Sequence, residues 1–124
     1  MIDRRLIEWD ISARWRGKRW EELPASAPGE VEQYLADPTN LAFATESIHE
    51  LVSRFVSSVE QHATTSGETV FVAHQDPVAA TTLALTGTAL MQLRSSPPEH
   101  GSVTTLVDTG SGWSLESAWE PQPR

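Results

Sequence analysis

One short segment constrains the fold more than any other part of the sequence. Residues 69–73 read Thr-Val-Phe-Val-Ala and form a continuous apolar run, with Gly67 before it and Pro77 after it. Such a run is typical of a strand whose two faces are covered by helices, as in a parallel sheet. Asp76 suits an N-cap and Pro77 suits the first position of a helix, so the sequence predicts a helix from Pro77 to about Ala89. A buried strand that leads directly into a helix indicates an α/β fold.

Another helix is predicted before this run. Its apolar residues recur at intervals of three and four and therefore share one helical face; they are Ile48, Leu51, Val52, Phe55, Val56 and Val59. Ser47 and Glu50 have the spacing of a capping box at its start. Gly67 is a stop signal a few residues beyond the last apolar position. The sequence thus predicts an amphipathic helix that begins at Ile48.

Weaker patterns precede this helix. A β-prone run at residues 5–9 predicts an edge strand. Residues 21–45 have the proline and glycine content of a loop, interrupted by a short helical turn over Glu30–Ala36. The residues of this turn that we expect to be buried are Val31, Tyr34 and Leu35.

The end of the chain has the pattern of a hairpin. Residues 90–100 are predicted to form a loop, and two alternating runs follow at Ser102–Asp108 and Trp113–Trp119. The four residues between them, Thr-Gly-Ser-Gly, are a turn signal. The order of elements predicts one α/β domain over residues 1–124, with a mixed sheet that ends in an antiparallel hairpin.

Composition narrows the classes of function. The 124 residues include no cysteine, which excludes disulfides and thiolate metal sites, and the net charge is −8. Six of the nine cations lie in the first twenty residues, whereas residues 21–124 hold three cations and fourteen acids. We therefore expect no nucleic-acid partner and no membrane partner. The basic segment is either a solvated edge or a site for a small anion.

Without a signal-like or membrane-spanning apolar stretch, the chain is predicted to be cytoplasmic.

His74 is the first candidate for chemistry. It lies between the predicted strand and the predicted helix, and ligands of open α/β sheets bind at the carboxyl ends of strands. The N–H groups of a helix N-terminus attract anions, and a histidine can hold an anion or move a proton near neutral pH. From spacing alone, a loop histidine that hydrogen-bonds a carbonyl group is an equal alternative.

The segment Gly67–Val78 resembles the second catalytic motif of the histidine phosphatase superfamily, in its phosphoglycerate mutase-like branch. That motif has a Gly-Glu-Thr start, several apolar residues and Ser-His-Gly, often followed by Asp-Pro. Further segments in the same order resemble the family from about Arg4 to Trp119; they are Arg5–Glu8, Trp15–Gly17, Glu46–Ser47 with Glu50, Leu51 and Arg54, Gly101–Thr104 and Gly112–Trp113. The resemblance implies a truncated, three-layer αβα fold with a mostly parallel sheet.

The resemblance also implies roles for three residues. His74 matches the histidine that contacts the transferred phosphoryl group, and Glu8 matches the carboxyl that protonates the leaving oxygen. The backbone N–H of Gln75 would lie where the glycine of the family presents an amide to phosphate. The ligand implied is phosphate or a phosphorylated small molecule, with no metal and no cofactor.

Two departures from the family change the expected function. The nucleophilic histidine belongs to an Arg-His-Gly motif, which this sequence lacks. The other histidines, His49, His62 and His100, are predicted to have surface or packing roles. Gln75 also replaces a glycine, and we expect its side chain to crowd a phosphate pocket unless the turn changes.

Three hypotheses follow from these observations. The first is a truncated, catalytically impaired family member that still binds phosphate or a phosphorylated metabolite. The second is an active phosphomonoester hydrolase completed by another chain or a longer N-terminus, and the third is an interaction module that does not use the pocket. Because the missing strands leave an open sheet edge, we also predict a homo-oligomer. Three tryptophans, Trp9, Trp15 and Trp20, suit either a core or such an interface, and a buried role within the subunit is expected.

Overall fold

Four α-helices and one antiparallel hairpin make up the regular structure of the residues that the computed structural model describes, 1–63 and 67–122. In chain order they are α1 (Leu23–Ser26), α2 (Glu30–Ala36), α3 (Ile48–His62), α4 (Gln75–Leu85), β1 (Val103–Asp108) and β2 (Trp113–Trp119). Short 3-10 turns occur at Arg4–Leu6, Trp20–Glu22 and Leu90–Arg94.

Helix α3 begins where the sequence predicts. The Ser47 hydroxyl accepts the Glu50 N–H at 3.1 Å, and the Glu50 carboxylate accepts the Ser47 N–H at 3.3 Å. This is the predicted capping box, and it satisfies two N–H groups that would otherwise lack partners. The apolar face of α3 buries Leu51 and Phe55.

Helix α4 follows the predicted pattern but has different ends. It begins at Gln75, so His74 and not Asp76 is the N-cap residue. The Asp76 side chain is buried and hydrogen-bonded elsewhere, and is therefore not free to cap the helix. The helix ends at Leu85, earlier than predicted, because Gly87 has a positive φ of 71°. A left-handed glycine just beyond the last turn ends a helix.

The predicted buried strand at residues 69–73 is wrong. These residues have no regular secondary structure, and Val70 and Val72 are 82% and 84% exposed. Phe71 and Ala73 are half-buried, and the ring centroid of Phe71 lies 6.4 Å from that of Phe55. A strand needs neighbours that share its backbone hydrogen bonds, and no strand in the described part of the chain pairs with this run.

The predicted edge strand at residues 5–9 is also wrong. The Asp3 carboxylate accepts the Arg5 N–H at 2.9 Å and starts the 3-10 turn Arg4–Leu6. The carbonyl groups of Arg5, Ile7 and Glu8 accept hydrogen bonds from the Arg54 side chain. Because side chains take these backbone groups, the segment does not pair as a strand. Within the two described ranges the hairpin is the only sheet, and the predicted parallel sheet and its layers are not formed there.

The predicted hairpin is confirmed. Pairs run from Val103 opposite Trp119 to Asp108 opposite Trp113, with an irregularity after Thr105. The turn is closed by a hydrogen bond from the Thr109 N–H to the Gly112 carbonyl at 2.9 Å.

The core lies between α3, α4 and the segment that contains Trp9; its buried members are Trp9, Ile11, Tyr34, Ile48, Leu51, Ala79, Ala80 and Leu93. Tyr34 is buried as predicted, whereas Val31 is half-buried and Leu35 is 50% exposed. The 3-10 turn Leu90–Arg94 replaces part of the predicted loop and buries Leu93.

The predicted burial of the three tryptophans is only partly correct. Trp9 is buried, Trp15 is partly buried and Trp20 is 53% exposed. Trp20 therefore lies at the surface of the molecule.

Candidate functional site

A cleft of about 690 Å³ opens at the N-terminus of α4. Its lining includes a polar and an aromatic group of side chains beside a few aliphatic residues. The polar group consists of Glu8, His74, Gln75, Asp76, Arg94, Glu99, His100 and Ser102, and the aromatic group consists of Trp9, Trp15, Trp20 and Tyr34. The three residues that the sequence singled out, Glu8, His74 and Gln75, all lie in this cleft.

His74 is held by the start of α4. Its carbonyl accepts the Val78 N–H at 3.0 Å, while its half-exposed side chain lies beside the cleft. Its Nδ1 is 3.8 Å from the Glu8 Oε2, so the two candidate catalytic residues face each other across 66 positions of sequence. The geometry fits a histidine available to a ligand better than one bonded to a carbonyl.

Glu8 has the electrostatic character of an acid. Burial raises its pKa, and the nearby Asp76 carboxylate raises it further, although a hydrogen bond from the Trp9 N–H at 2.8 Å and the charges of His74 and Arg54 lower it. The net direction is upward. A carboxyl group with a raised pKa keeps its proton at higher pH, which suits a group that protonates a leaving oxygen.

Arg54 holds the backbone that carries Glu8. Its guanidinium donates to the carbonyl groups of Arg5, Ile7 and Glu8 at 2.7, 2.9 and 3.1 Å. It also makes two hydrogen bonds with the Glu46 carboxylate, at 2.6 and 3.0 Å. Arg54 thereby attaches residues 5–8 to α3, to which the Arg5 side chain also donates hydrogen bonds at Ser57 and Gln61.

The side chain of Gln75 is fixed at the wall of the cleft. Its Nε2 donates to the Pro98 carbonyl at 2.7 Å, and its Oε1 accepts from Arg94 at 3.3 Å. These two bonds use the amide within the protein and attach α4 to the loop after Leu90–Arg94. The side chain of His74, the N-cap residue, makes no capping hydrogen bond to the first turn of α4. Backbone N–H groups at such a helix end favour an anion.

Asp76, Tyr34 and Arg94 form a network beneath this helix end. The Tyr34 hydroxyl donates to the Asp76 Oδ2 at 2.6 Å, and Arg94 donates to the Asp76 Oδ1 at 3.2 Å. Burial and the Asp76 charge raise the pKa of Tyr34 strongly, so Tyr34 stays protonated and remains a donor. The Asp76 carboxylate is thus hydrogen-bonded by Tyr34 and paired with Arg94, and the positive charge of Arg94 partly offsets its repulsion of an anion bound nearby.

Sequence reasoning missed Arg94, Tyr34 and His100 as residues of the site. Arg94 and His100 fall in the predicted loop 90–100, where no periodicity distinguishes one side chain from another. His100 is exposed, in line with a surface position, and it also lines the cleft. His62 lies 3.3 Å from the Asp3 carboxylate, and His49 is exposed; neither lines the cleft.

The basic N-terminal segment has the character of a solvated edge. Arg5 pairs with Asp3, Arg14 pairs with Glu30, and none of its cations lines the cleft. Among the described residues, Arg94 is the only Lys or Arg that lines the cleft. Residues 1–63 and 67–122 contain no cluster of three or more His, Asp or Glu side chains suited to a metal ion. Within the same ranges, no helix is long and apolar enough to cross a membrane.

Comparison with known families and proteins gives one family match. The model of the histidine phosphatase superfamily (branch 1) matches residues 1–120. A search of curated proteins finds no match.

Solved structures share the fold. Mycobacterial hydrolase 1 has 24% sequence identity and a TM-score of 0.74, over 98% of this chain and 63% of its own. Mycobacterial hydrolase 2 has 22% identity and a TM-score of 0.72, over 97% and 60%. A mycobacterial glucosyl-3-phosphoglycerate phosphatase in complex with inorganic phosphate has 24% identity and a TM-score of 0.72, over 93% and 62%. The chain therefore spans about three-fifths of the length of these neighbours.

Proposed function

The chain belongs to branch 1 of the histidine phosphatase superfamily, and on that premise we propose that it binds the phosphoryl group of a phosphorylated small molecule at the N-terminus of α4. The observation that carries the proposal is the pairing of His74 and Glu8, 3.8 Å apart, at the mouth of a cleft beside an uncapped helix end. The solved structure of a phosphatase neighbour with inorganic phosphate supports the choice of ligand.

The chemistry of these groups suits phosphate. Phosphoryl transfer depends mainly on positioning and on stabilisation of charge, which fixed N–H dipoles and an imidazolium supply. His74 would contact the phosphoryl oxygens together with the N–H groups of Gln75 and Asp76. Glu8, with its raised pKa, would donate a proton to the leaving oxygen.

We propose that the chain alone is catalytically impaired. The covalent route of the family needs a histidine nucleophile in an Arg-His-Gly motif, and the sequence contains no such motif. Binding can persist without this group, because the donors that hold phosphate are separate from the group that attacks it. We also propose that residues 1–124 form one truncated domain and that the protein is cytoplasmic.

A second candidate is an active phosphomonoester hydrolase completed by further polypeptide. The exposed apolar side chains of Val70 and Val72, four and two residues before His74, favour it. Strands paired with residues 69–73, together with helices packed on the faces of that sheet, would cover them and complete the three-layer αβα fold with its parallel sheet. The partner that we propose for this edge is a second copy of the chain, since open apolar edges pair readily. Light scattering at micromolar concentration tests this, and a strictly monomeric species contradicts it.

The test of the main proposal is phosphate binding by the purified chain. Inorganic phosphate should raise the free energy of unfolding by about 2.7 kcal/mol at a concentration of 100 Kd. This stabilisation is measured as a rise in the midpoint of thermal unfolding. His74→Ala should abolish most of this stabilisation. His49→Ala is the matched control, because His49 is exposed on α3 and does not line the cleft. Equal stabilisation of both variants by phosphate would contradict the proposal.

Hydrolysis distinguishes the two candidates. We expect negligible turnover of an aryl phosphate by the chain alone. Clear turnover that is lost in His74→Ala would show that no further polypeptide is needed, and the proposed impairment would then be wrong.

A further inference from the structure

An aromatic wall stands beside the phosphate site. The ring of Trp20 lies 6.2 Å from that of Trp15 and 6.1 Å from that of Tyr34, with interplanar angles of 88° and 70°. These are edge-to-face contacts, so each neighbour meets Trp20 without covering a whole face of its indole ring. Trp20 lines the cleft and yet remains 53% exposed. Part of its ring surface therefore faces the open volume of the cleft.

The wall is held in place before any ligand arrives. The Trp15 indole N–H donates to the Glu30 Oε1 at 2.9 Å, and Glu30 is itself buried and paired with Arg14. Trp20 begins a 3-10 turn whose Glu22 side chain accepts the Arg19 N–H at 2.8 Å. A ring that packs on a rigid platform loses little free energy to ordering of the protein.

The charges of the cleft point to the character of the rest of the ligand. Asp76 is satisfied by Tyr34 and Arg94, but Glu8 and Glu99 add two further carboxylates to the lining. The phosphoryl group has the helix end and His74 to stabilise it. A second anionic group on the same ligand would lie in a region where carboxylates outnumber Lys and Arg.

We propose that the cleft selects phosphomonoesters whose alcohol carries an uncharged ring, that this ring packs on Trp20, and that ligands with a second anionic group are disfavoured. This inference rests on the proposed phosphate-binding function and specifies its ligand class. Aromatic packing of this kind corresponds to a gain in affinity of about 2- to 12-fold.

Three phosphonates that resist hydrolysis test the proposal on the full chain. Methylphosphonate presents the phosphoryl group alone, phenylphosphonate adds an uncharged ring, and phosphonoacetate adds a carboxylate. Calorimetric titration should show phenylphosphonate binding about 2- to 12-fold more tightly than methylphosphonate. Phosphonoacetate should bind more weakly than methylphosphonate at the same pH and ionic strength.

Variants locate the effect. Trp20→Ala should bring the ratio of phenylphosphonate to methylphosphonate affinity close to one, while Trp20→Phe should keep most of the ratio seen in the unmodified chain. If the alanine variant does not fold, Trp20→Leu makes the same comparison, and the wild-type phosphonate series stands without any variant. Trp119→Ala is the control, because Trp119 is similarly exposed on β2 and does not line this cleft.

The outcomes separate the two proposals. If methylphosphonate binds but the phenyl group adds nothing, or if Trp20→Ala keeps the full advantage, the ring-binding inference is overturned while phosphate binding stands. Tighter binding of phosphonoacetate than of methylphosphonate overturns the charge argument. If none of the three probes binds, the proposed function itself is wrong, and this inference falls with it.

Discussion

Arg54 is the side chain whose loss should most weaken the site without replacing any residue that we propose to contact the ligand. Its guanidinium makes five hydrogen bonds of 2.6 to 3.1 Å, three to carbonyl groups of residues 5–8 and two to Glu46. Arg54→Ala therefore removes every one of these bonds and leaves the Glu46 carboxylate without its partner. We expect a large loss in the free energy of unfolding.

The magnitude follows from the burial of the pair. The side chains of Arg54 and Glu46 are each only 18% exposed, so the pair is mostly shielded from water. Removing one member of a fully buried pair costs about 3–5 kcal/mol, whereas exposed pairs contribute about 1 kcal/mol or less. Allowing for the residual exposure, we expect Arg54→Ala to cost about 2–4 kcal/mol. Glu46→Gln in the same chain should recover part of this, because it removes the unpaired charge.

Urea denaturation measures this cost. The matched control is Arg16→Ala, since Arg16 also forms an ion pair with a carboxylate, that of Asp10, but its side chain is 60% exposed. The control should lose about 1 kcal/mol or less. If both variants lose the same small amount, Arg54 does not fasten the N-terminal segment, and its hydrogen bonds to residues 5–8 are not what positions Glu8.

Three further substitutions test separate parts of the structure. Tyr34→Phe should cost about 1–3 kcal/mol in chemical denaturation, because it removes the buried 2.6 Å hydrogen bond to the Asp76 carboxylate; a neutral result would contradict that bond. Glu8→Gln should raise the midpoint of thermal unfolding slightly at pH 7, since the raised pKa of Glu8 means that the folded state disfavours its ionised form. The gain should vanish below the unfolded-state pKa of about 4.3, where Glu8 is protonated in both states, and a gain that grows toward low pH would have the wrong sign. Ser47→Ala should cost about 1 kcal/mol through loss of the α3 cap, whereas no change would mean that the capping box contributes nothing.

Signals contained in a few neighbouring residues predict structure well. The capping box of Ser47 and Glu50 sets the start of α3, and the Thr109–Gly112 turn sets the hairpin. Each depends on contacts that span two or three positions, so the sequence contains both partners within a short window. The predicted end of α4 is misplaced even so, because Gly87 terminates the helix before Ala89 is reached.

The failed strand at residues 69–73 shows the limit of such signals. An apolar run indicates side chains that gain from burial, but it does not say which backbone will pair with them. Val70 and Val72 have the composition of a core strand and the exposure of a surface loop. The prediction assumes a sheet around them, and the described residues do not form one.

Contacts between distant residues account for what the sequence does not reveal about the site. Tyr34 meets Asp76 across 42 positions, and Arg94 meets it across 18. No local pattern marks these residues, and the resemblance to a family indicates only His74, Glu8 and Gln75. The hydrogen bonds that Tyr34 and Arg94 donate to Asp76 become evident only from the fold.

The way the proposed phosphate site is supported suggests a physical reason why binding could be separated from transfer. Glu8 is held by Arg54 on α3, and His74 belongs to the start of α4. These two helices pack against each other in the core, through buried residues that include Leu51 and Ala80. None of these contacts passes through residues 69–73, the run that a completed sheet would cover. We therefore propose that α3, α4, the N-terminal segment and the contacts of α4 with Tyr34, Arg94 and Pro98 set the geometry on the phosphate side, and that lack of the Arg-His-Gly histidine removes the covalent step without loosening it. We propose that a polypeptide supplying the Arg-His-Gly histidine, which a second copy of this chain lacks, would add the attacking group to a site already formed.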